Sequence, residues 1–220
     1  MGLVDAALDL LFPPKCPFCR RLTARGEGVC PDCLRTLPYT TAESHGRKLR
    51  NISRCVAPFY YKGRVRESLL RYKFGGLSVY SQIYAEFIAK CIDENGISCD
   101  IITWVPLSAK RFRSRGYDQA RLIADALSRL TGIRCVRLLK KTRHNPAQSG
   151  TGSAEKRRAN VSGVYSAVNT DEIAEKRILL VDDIVTTGST LSECARVLTE
   201  HGCADVQAAA VARGCDYCDY

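Results

Sequence analysis

Hydrophobic and polar positions change texture near residue 55. Before it, Leu3 to Phe12 reads as a short amphipathic helix stopped by Pro13-Pro14. Residues 15–38 are rich in Cys, Gly and Arg and lack periodicity; residues 39–52 are polar, as in a linker or irregular cover. From Cys55 to Tyr61 the pattern predicts a strand, and Arg64–Tyr72 and Ser81–Ile92 read as helices. An alternation then sets in. Asp100–Val105 is a buried strand, and Asp118–Leu130 is a helix with Ala120, Ile123, Ala124 and Leu127 on one face and Gly132 just past its end. Cys135–Leu139 is expected as a second strand and Arg177–Asp183 as a third. A helix over Thr190–His201, closed by Gly202, precedes a fourth strand over Asp205–Ala212. Apolar strands alternating with helices predict an α/β fold with a parallel sheet covered on both faces. The division expected is a helix and cysteine module over 1–38, a linker or cover over 39–54, the α/β unit over 55–214 and a tail over 215–220.

The chain has 220 residues, 45% of them hydrophobic, enough for one packed domain and a small appendage. Lys and Arg outnumber Asp and Glu by 33 to 23, a net charge of +10 that favours an anionic partner: phosphate, nucleotide or nucleic acid. The first residues lack a basic segment and are interrupted by Asp5 and Asp9, Gly2 is not followed by Ser or Thr at position 6, and no apolar run is long enough to span a bilayer. These features predict a soluble protein of the reducing cytoplasm, in which the 12 cysteines suit metal better than cross-links.

The densest chemistry lies in Ile178-Leu-Leu-Val-Asp-Asp-Ile-Val-Thr-Thr-Gly-Ser-Thr190. Asp182 and Asp183 come where an apolar strand should end, and ligands of open α/β sheets sit beyond the carboxyl ends of strands. Thr186, Thr187, Gly188, Ser189 and Thr190 then open onto a helix, whose free N–H groups and positive dipole end suit a phosphate. Thr190 and Glu193 have capping-box spacing. Carboxylates accept hydrogen bonds from hydroxyls and repel phosphate, so the two halves together fit a ligand with sugar hydroxyls on one side and phosphate on the other, such as ribose 5-phosphate. A plain strand–turn–helix with solvated aspartates is the alternative.

A second segment, with Ser108, Lys110, Arg111, Arg113 and Arg115, forms a basic loop after the strand at 100–105 and suits pyrophosphate; a solvated basic turn or a nucleic-acid patch is the other reading. A third, residues 140–160, is long, polar and basic. It reads as a lid carrying Gln148, Lys156, Arg157 and Arg158, or as a mobile surface loop. Cys16-Pro-Phe-Cys19 and Cys30-Pro-Asp-Cys33 are two knuckles able to hold one structural Zn²⁺ on four thiolates, with a redox pair or disulfides as the alternative. Cys215 and Cys218 lack a partner pair, and His45, His144 and His201 have no triad or ligand spacing.

Residues 178–190 resemble the signature of type I phosphoribosyltransferases. The order of motifs along almost the whole chain is similar to the ComF family, associated with natural DNA uptake in competent bacteria. The resemblance implies a type I phosphoribosyltransferase fold behind an N-terminal zinc ribbon, and binding of phosphoribosyl pyrophosphate with Mg²⁺. Asp182 and Asp183 would take the ribose hydroxyls and Thr186 to Thr190 the 5′-phosphate. The activity implied is phosphoribosyl (pentosyl) transfer to an acceptor the sequence leaves blank. A non-catalytic DNA-uptake accessory binding single-stranded DNA or a helicase partner is the alternative. The lid departs from the family: His144-Asn-Pro-Ala-Gln148 is followed by Ser149 where the family has Leu. Residue 2 is Gly rather than a Cys nucleophile, and the chain leaves no room for a glutaminase domain, so glutamine-dependent amidotransfer is not expected.

Overall fold

The computed structural model describes residues 13–24, 26–41, 49–142 and 163–214. The expected Leu3–Phe12 helix, most of the lid segment and the Cys215/Cys218 tail lie outside them.

The sheet is built on the most apolar run of the chain. Strand β6 (Arg177–Val185) lies between β3 (Ile101–Trp104) and β7 (Asp205–Arg213), and β7 also pairs with β1 (Arg54–Val56) and β2 (Phe59–Tyr60). Every pairing is parallel, with Thr103 opposite Leu180, Leu180 opposite Ala208 and Ala208 opposite Cys55. Strand alternation sorts the side chains into two cores. Leu179, Val181, Ile102, Trp104 and Val211 pack under α2 (Gly63–Phe74), α3 (Tyr80–Glu94) and α5 (Gln119–Thr131). On the other face, Ile178, Leu180, Ile101, Ala208 and Ala210 pack with Leu191, Cys194, Ala195 and Leu198 of α6 (Ser189–Glu200). Leu139 and Tyr165 join this second core from a separate antiparallel pair, β4 (Leu139–Lys141) and β5 (Tyr165–Ala167).

The cysteine module packs into the first core. Its short helix α1 (Pro31–Thr36) carries Cys33, and fully buried Phe18 meets Phe59, Tyr84 and Phe87 edge-on at centroid distances of 5.7, 6.3 and 6.1 Å. No helix among the described residues is long and apolar enough to cross a membrane.

Four local expectations are corrected. The strand over Cys55–Tyr61 splits at Ala57-Pro58, where proline has no N–H for the ladder. The strand over Cys135–Leu139 shrinks to one parallel bridge between Ile102 and Cys135. There the Leu138 N–H donates to the Thr103 hydroxyl at 3.3 Å, a side chain taking the place of the next ladder bond. The basic loop is a helix, α4 (Ala109–Arg115), whose N-cap Ser108 accepts the Arg111 N–H and whose C-cap Gly116 has φ 79°. The capping box does not form: α6 begins at Ser189 behind Gly188, and Glu193 accepts the Gly163 N–H at 2.7 Å and pairs with Arg196 instead.

Candidate functional site

Asp182 and Asp183 stand in β6 just past its last pair with β3, Val181 opposite Trp104, while β7 still flanks them through Ala210. The strand thus runs two residues further than the expected Arg177–Asp183, to Val185. The carboxylates border the open end of the sheet above β3.

Their surroundings differ, because successive strand residues point to opposite faces. Asp183 lies 2.9 Å from Lys73 Nζ at the end of α2, with only 14% and 17% of the two side chains exposed. Asp182 Oδ1 accepts the N–H of Asp183 at 2.8 Å. It is half-buried on the face of Cys194 and Lys141, both of which feel its charge. Burial, with the neighbouring charge of Asp183 second, pushes the Asp182 carboxyl up to about 8. The pair therefore holds one carboxylate paired to an ammonium and one carboxyl that stays protonated near neutrality.

The following loop turns back tightly. Thr187 Oγ1 lies 2.9 Å from Ser189 Oγ and also takes the Ser189 N–H at 3.4 Å. Gly188 has φ 74°, the left-handed region that favours glycine, and a Cβ there would push against a methyl of Leu49, which would have to shift. The sequence suggested glycine for close approach of a ligand; the structure adds close approach of Leu49. The first bond of the α6 ladder runs from Ser192 N–H to the Gly188 carbonyl, so the N–H groups ahead of it lie outside the ladder at the helix's positive end.

Of the basic set, Arg115 lies within the field of Asp183. It stacks on Phe74, 4.9 Å from the centroid, and donates to Gln119 Oε1 at 2.8 Å. Burial lowers its pKa, while the charge of Asp183 works against that shift. Arg111 acts on the other face, where its charge is felt by Lys141 and Tyr165. Ser108 is buried as the α4 cap, and Lys110 and Arg113 are exposed. Gln148, Lys156, Arg157 and Arg158 lie outside the described residues.

Two cations beside the acid pair escaped sequence reading. Lys73 sits just beyond the predicted helix, and its signal was a lone basic residue before Phe74-Gly75-Gly76. Lys141 Nζ donates to Tyr165 OH at 3.1 Å and lies 5.0 Å from the ring centroid. Burial, and then Arg111, lower the Lys141 pKa. Lys73 and Lys141 thus place an ammonium on each face beside the acid pair.

The four thiols of Cys16, Cys19, Cys30 and Cys33 lie within 4.8 Å of one another. Tetrahedral zinc–thiolate bonds of ~2.3 Å set sulfurs about 3.8 Å apart, so the cluster fits a structural zinc. Burial raises the Cys16 thiol, but the N–H groups of Cys19, Cys30 and Phe18 outweigh it and bring the thiol down to about 7. Arg64 Nη1, 3.5 Å from Cys33 Sγ, brings positive charge to the same cluster. A closed set of four thiolates leaves no position for catalysis.

Two family matches agree with this layout. The Phosphoribosyl transferase domain matches residues 114–217 and the Double zinc ribbon domain residues 7–47. Competence protein F of Haemophilus influenzae is 40% identical over 111 residues, which is 50% of this chain and 48% of that protein. Competence protein ComFC of Streptococcus pneumoniae is 28% identical over 196 residues, covering 86% of this chain and 82% of the relative. DNA utilization protein YhgH of Escherichia coli is 29% identical over 206 residues, 87% of each chain.

Proposed function

The chain belongs to the ComF family, with a type I phosphoribosyltransferase fold and an N-terminal zinc ribbon, and on that premise we propose that it binds phosphoribosyl pyrophosphate with Mg²⁺ and transfers the phosphoribosyl group. One observation carries the reading: a carboxylate pair and a hydroxyl-rich helix N-terminus share one strand end, four residues apart. In this scheme residues 1–38 are the metal module, 39–54 the connection, 55–214 the transferase-type unit and 215–220 a tail.

Asp182 and Asp183 take the ribose hydroxyls, and residues Thr186 to Thr190 surround the 5′-phosphate. Arg111 and Arg115 face the pyrophosphate from the two sides of the sheet, with Ser108 fixing the helix that bears them and Lys110 and Arg113 adding charge at its exposed side. Gln148, Lys156, Arg157 and Arg158 close over the donor and keep water from C1′. Bound Mg²⁺ would supply charge neutralisation, held chiefly by pyrophosphate and ribose oxygens. Attack at C1′ by the acceptor breaks the bond to pyrophosphate, whose departing charge the arginines stabilise.

Calorimetric titration with phosphoribosyl pyrophosphate and MgCl₂ tests the reading. The native chain should bind with a micromolar-range constant, and Asp182→Ala/Asp183→Ala should lose at least about tenfold in affinity, ~1.4 kcal/mol. Equal binding by both proteins, or by neither, contradicts it.

A second reading rests on a different place. An open cleft of about 600 Å³ between the cysteine module and the start of α2 is lined by Arg21, Lys62 and Arg64 together with Thr36 and with Asp32, which pairs with Arg21 at 3.0 Å. Its net positive lining suits the backbone of single-stranded DNA, a partner in keeping with the names of the relatives, and it shares no lining residue with the strand end at 182–190, so both roles can coexist. Oligonucleotide binding with a steep salt dependence, lost in Lys62→Ala/Arg64→Ala, is the expected result; binding indifferent to salt excludes it.

A further inference from the structure

Helix α2 touches the cysteine module and the candidate ligand site at once. Toward the module, Arg64 meets Cys33 Sγ, and Arg71 Nη2 donates to the carbonyls of Pro17 at 2.9 Å and Phe18 at 3.0 Å. Those carbonyls belong to the two residues between Cys16 and Cys19. Toward the site, Tyr72 OH donates to the Gln119 carbonyl at 2.9 Å, Tyr117 OH donates to the Tyr72 carbonyl, and Lys73 pairs with Asp183. Phe74 then carries Arg115. Residue 71 therefore grips the first knuckle, and residue 73 grips an acid of the site.

We propose that Arg71 is a positioning residue through which the metal-loaded first knuckle holds Lys73 against Asp183, so that metal loading sets the affinity of the ligand site. The two carbonyls face Arg71 only while the knuckle keeps its turn. Phe18 seats the knuckle in the first core, and metal bonds to Cys16 and Cys19 on either side of Pro17-Phe18 fix the turn that aims the two carbonyls. When the carbonyls leave, a guanidinium with 22% of its side chain exposed loses two acceptors. Its remaining acid is Glu67, 3.8 Å away and one turn back along α2. That contact lies within α2 and ties it to nothing else, so the last turn of α2, with Tyr72, Lys73 and the Phe74 platform under Arg115, loses its anchor to the knuckle.

The ligand half of this proposal rests on the function proposed above; the structural half does not. The experiment uses the full chain with zinc bound, the same chain stripped by a mercurial and chelator, and zinc-loaded Arg71→Ala and Arg71→Lys. Zinc content is measured by atomic emission, amide exchange is followed at residues 72–75 with β6 and β7 as the control for folding, and Mg²⁺–phosphoribosyl pyrophosphate is titrated by calorimetry. Arg71→Ala should keep its zinc and the β6–β7 protection. Protection at 72–75 and ligand affinity should each fall about tenfold, in line with loss of hydrogen bonds to a charged group, and Arg71→Lys should recover part of both. Stripping zinc should reproduce the effect in the native chain and add little to Arg71→Ala. Unchanged protection and affinity in Arg71→Ala, or after stripping with β6–β7 intact, overturns the proposal. If stripping unfolds the whole chain, zinc-loaded Arg71→Ala decides. If the native chain binds no ligand, the function proposed above fails and exchange at 72–75 alone decides the coupling.

Discussion

Asp182 and Asp183 are adjacent in sequence and electrostatically unlike. Asp183 has Lys73 at 2.9 Å, whereas burial leaves Asp182 protonated up to about pH 8. In the unfolded chain an aspartate titrates near ~3.9. Between those values the folded state holds a proton that the unfolded state has lost, so stability falls as pH rises from about 4 to 8 and the full loss is present above 8. Asp182→Asn removes that penalty. Its melting temperature should exceed the native value at pH 9 by about 2–4 °C or more, the shift that ~1 kcal/mol gives in a chain this size, and the gap should narrow steadily toward pH 5 and close only below about pH 4. A constant gap across that range assigns the effect to packing rather than ionisation.

At the scale of elements, what could be read was what is local. Helix α5 appeared within one residue of its ends because Asp118 caps its start, accepting the Arg121 N–H at 3.3 Å, and Gly132 closes it at φ 73°. Asp118 has a second bond no sequence shows: it accepts the Leu107 N–H at 3.1 Å and ties the segment entering α4 to α5. Asp118→Ala should therefore cost about 1–2 kcal/mol in urea denaturation, while Asp118→Asn, also a good cap, should cost well under half of that. The missed elements obey distant partners. Helix α4 has too few apolar residues for periodicity, with Phe112 exposed, and the edge strand at 135–139 ends because Thr103, over thirty residues earlier, takes its N–H. The same holds for the site. Residues 182–190 are contiguous and were legible, but Lys73 and Lys141 reach them only through the packing of α2 and β4 on opposite faces of the sheet.

For the whole molecule, the sheet divides the packing into two cores, and the candidate site lies at the strand ends where both reach solvent. From the first core side Lys73 pairs with Asp183 and Arg115 feels its charge, while Lys141 and Arg111 lie on the second. A ligand bound there would touch both faces, with cations from each side of the sheet around the carboxylate pair. The zinc-ribbon knuckles reinforce the first face through Phe18 and Arg71. The most direct measurement is a crystal structure of the full chain grown with Mg²⁺ and phosphoribosyl pyrophosphate. The account predicts the 5′-phosphate within hydrogen-bond distance of the N–H groups of residues 187–190 and the ribose hydroxyls on the Asp182–Asp183 carboxylates. A ligand seated elsewhere, or an empty strand end at saturating donor, contradicts it.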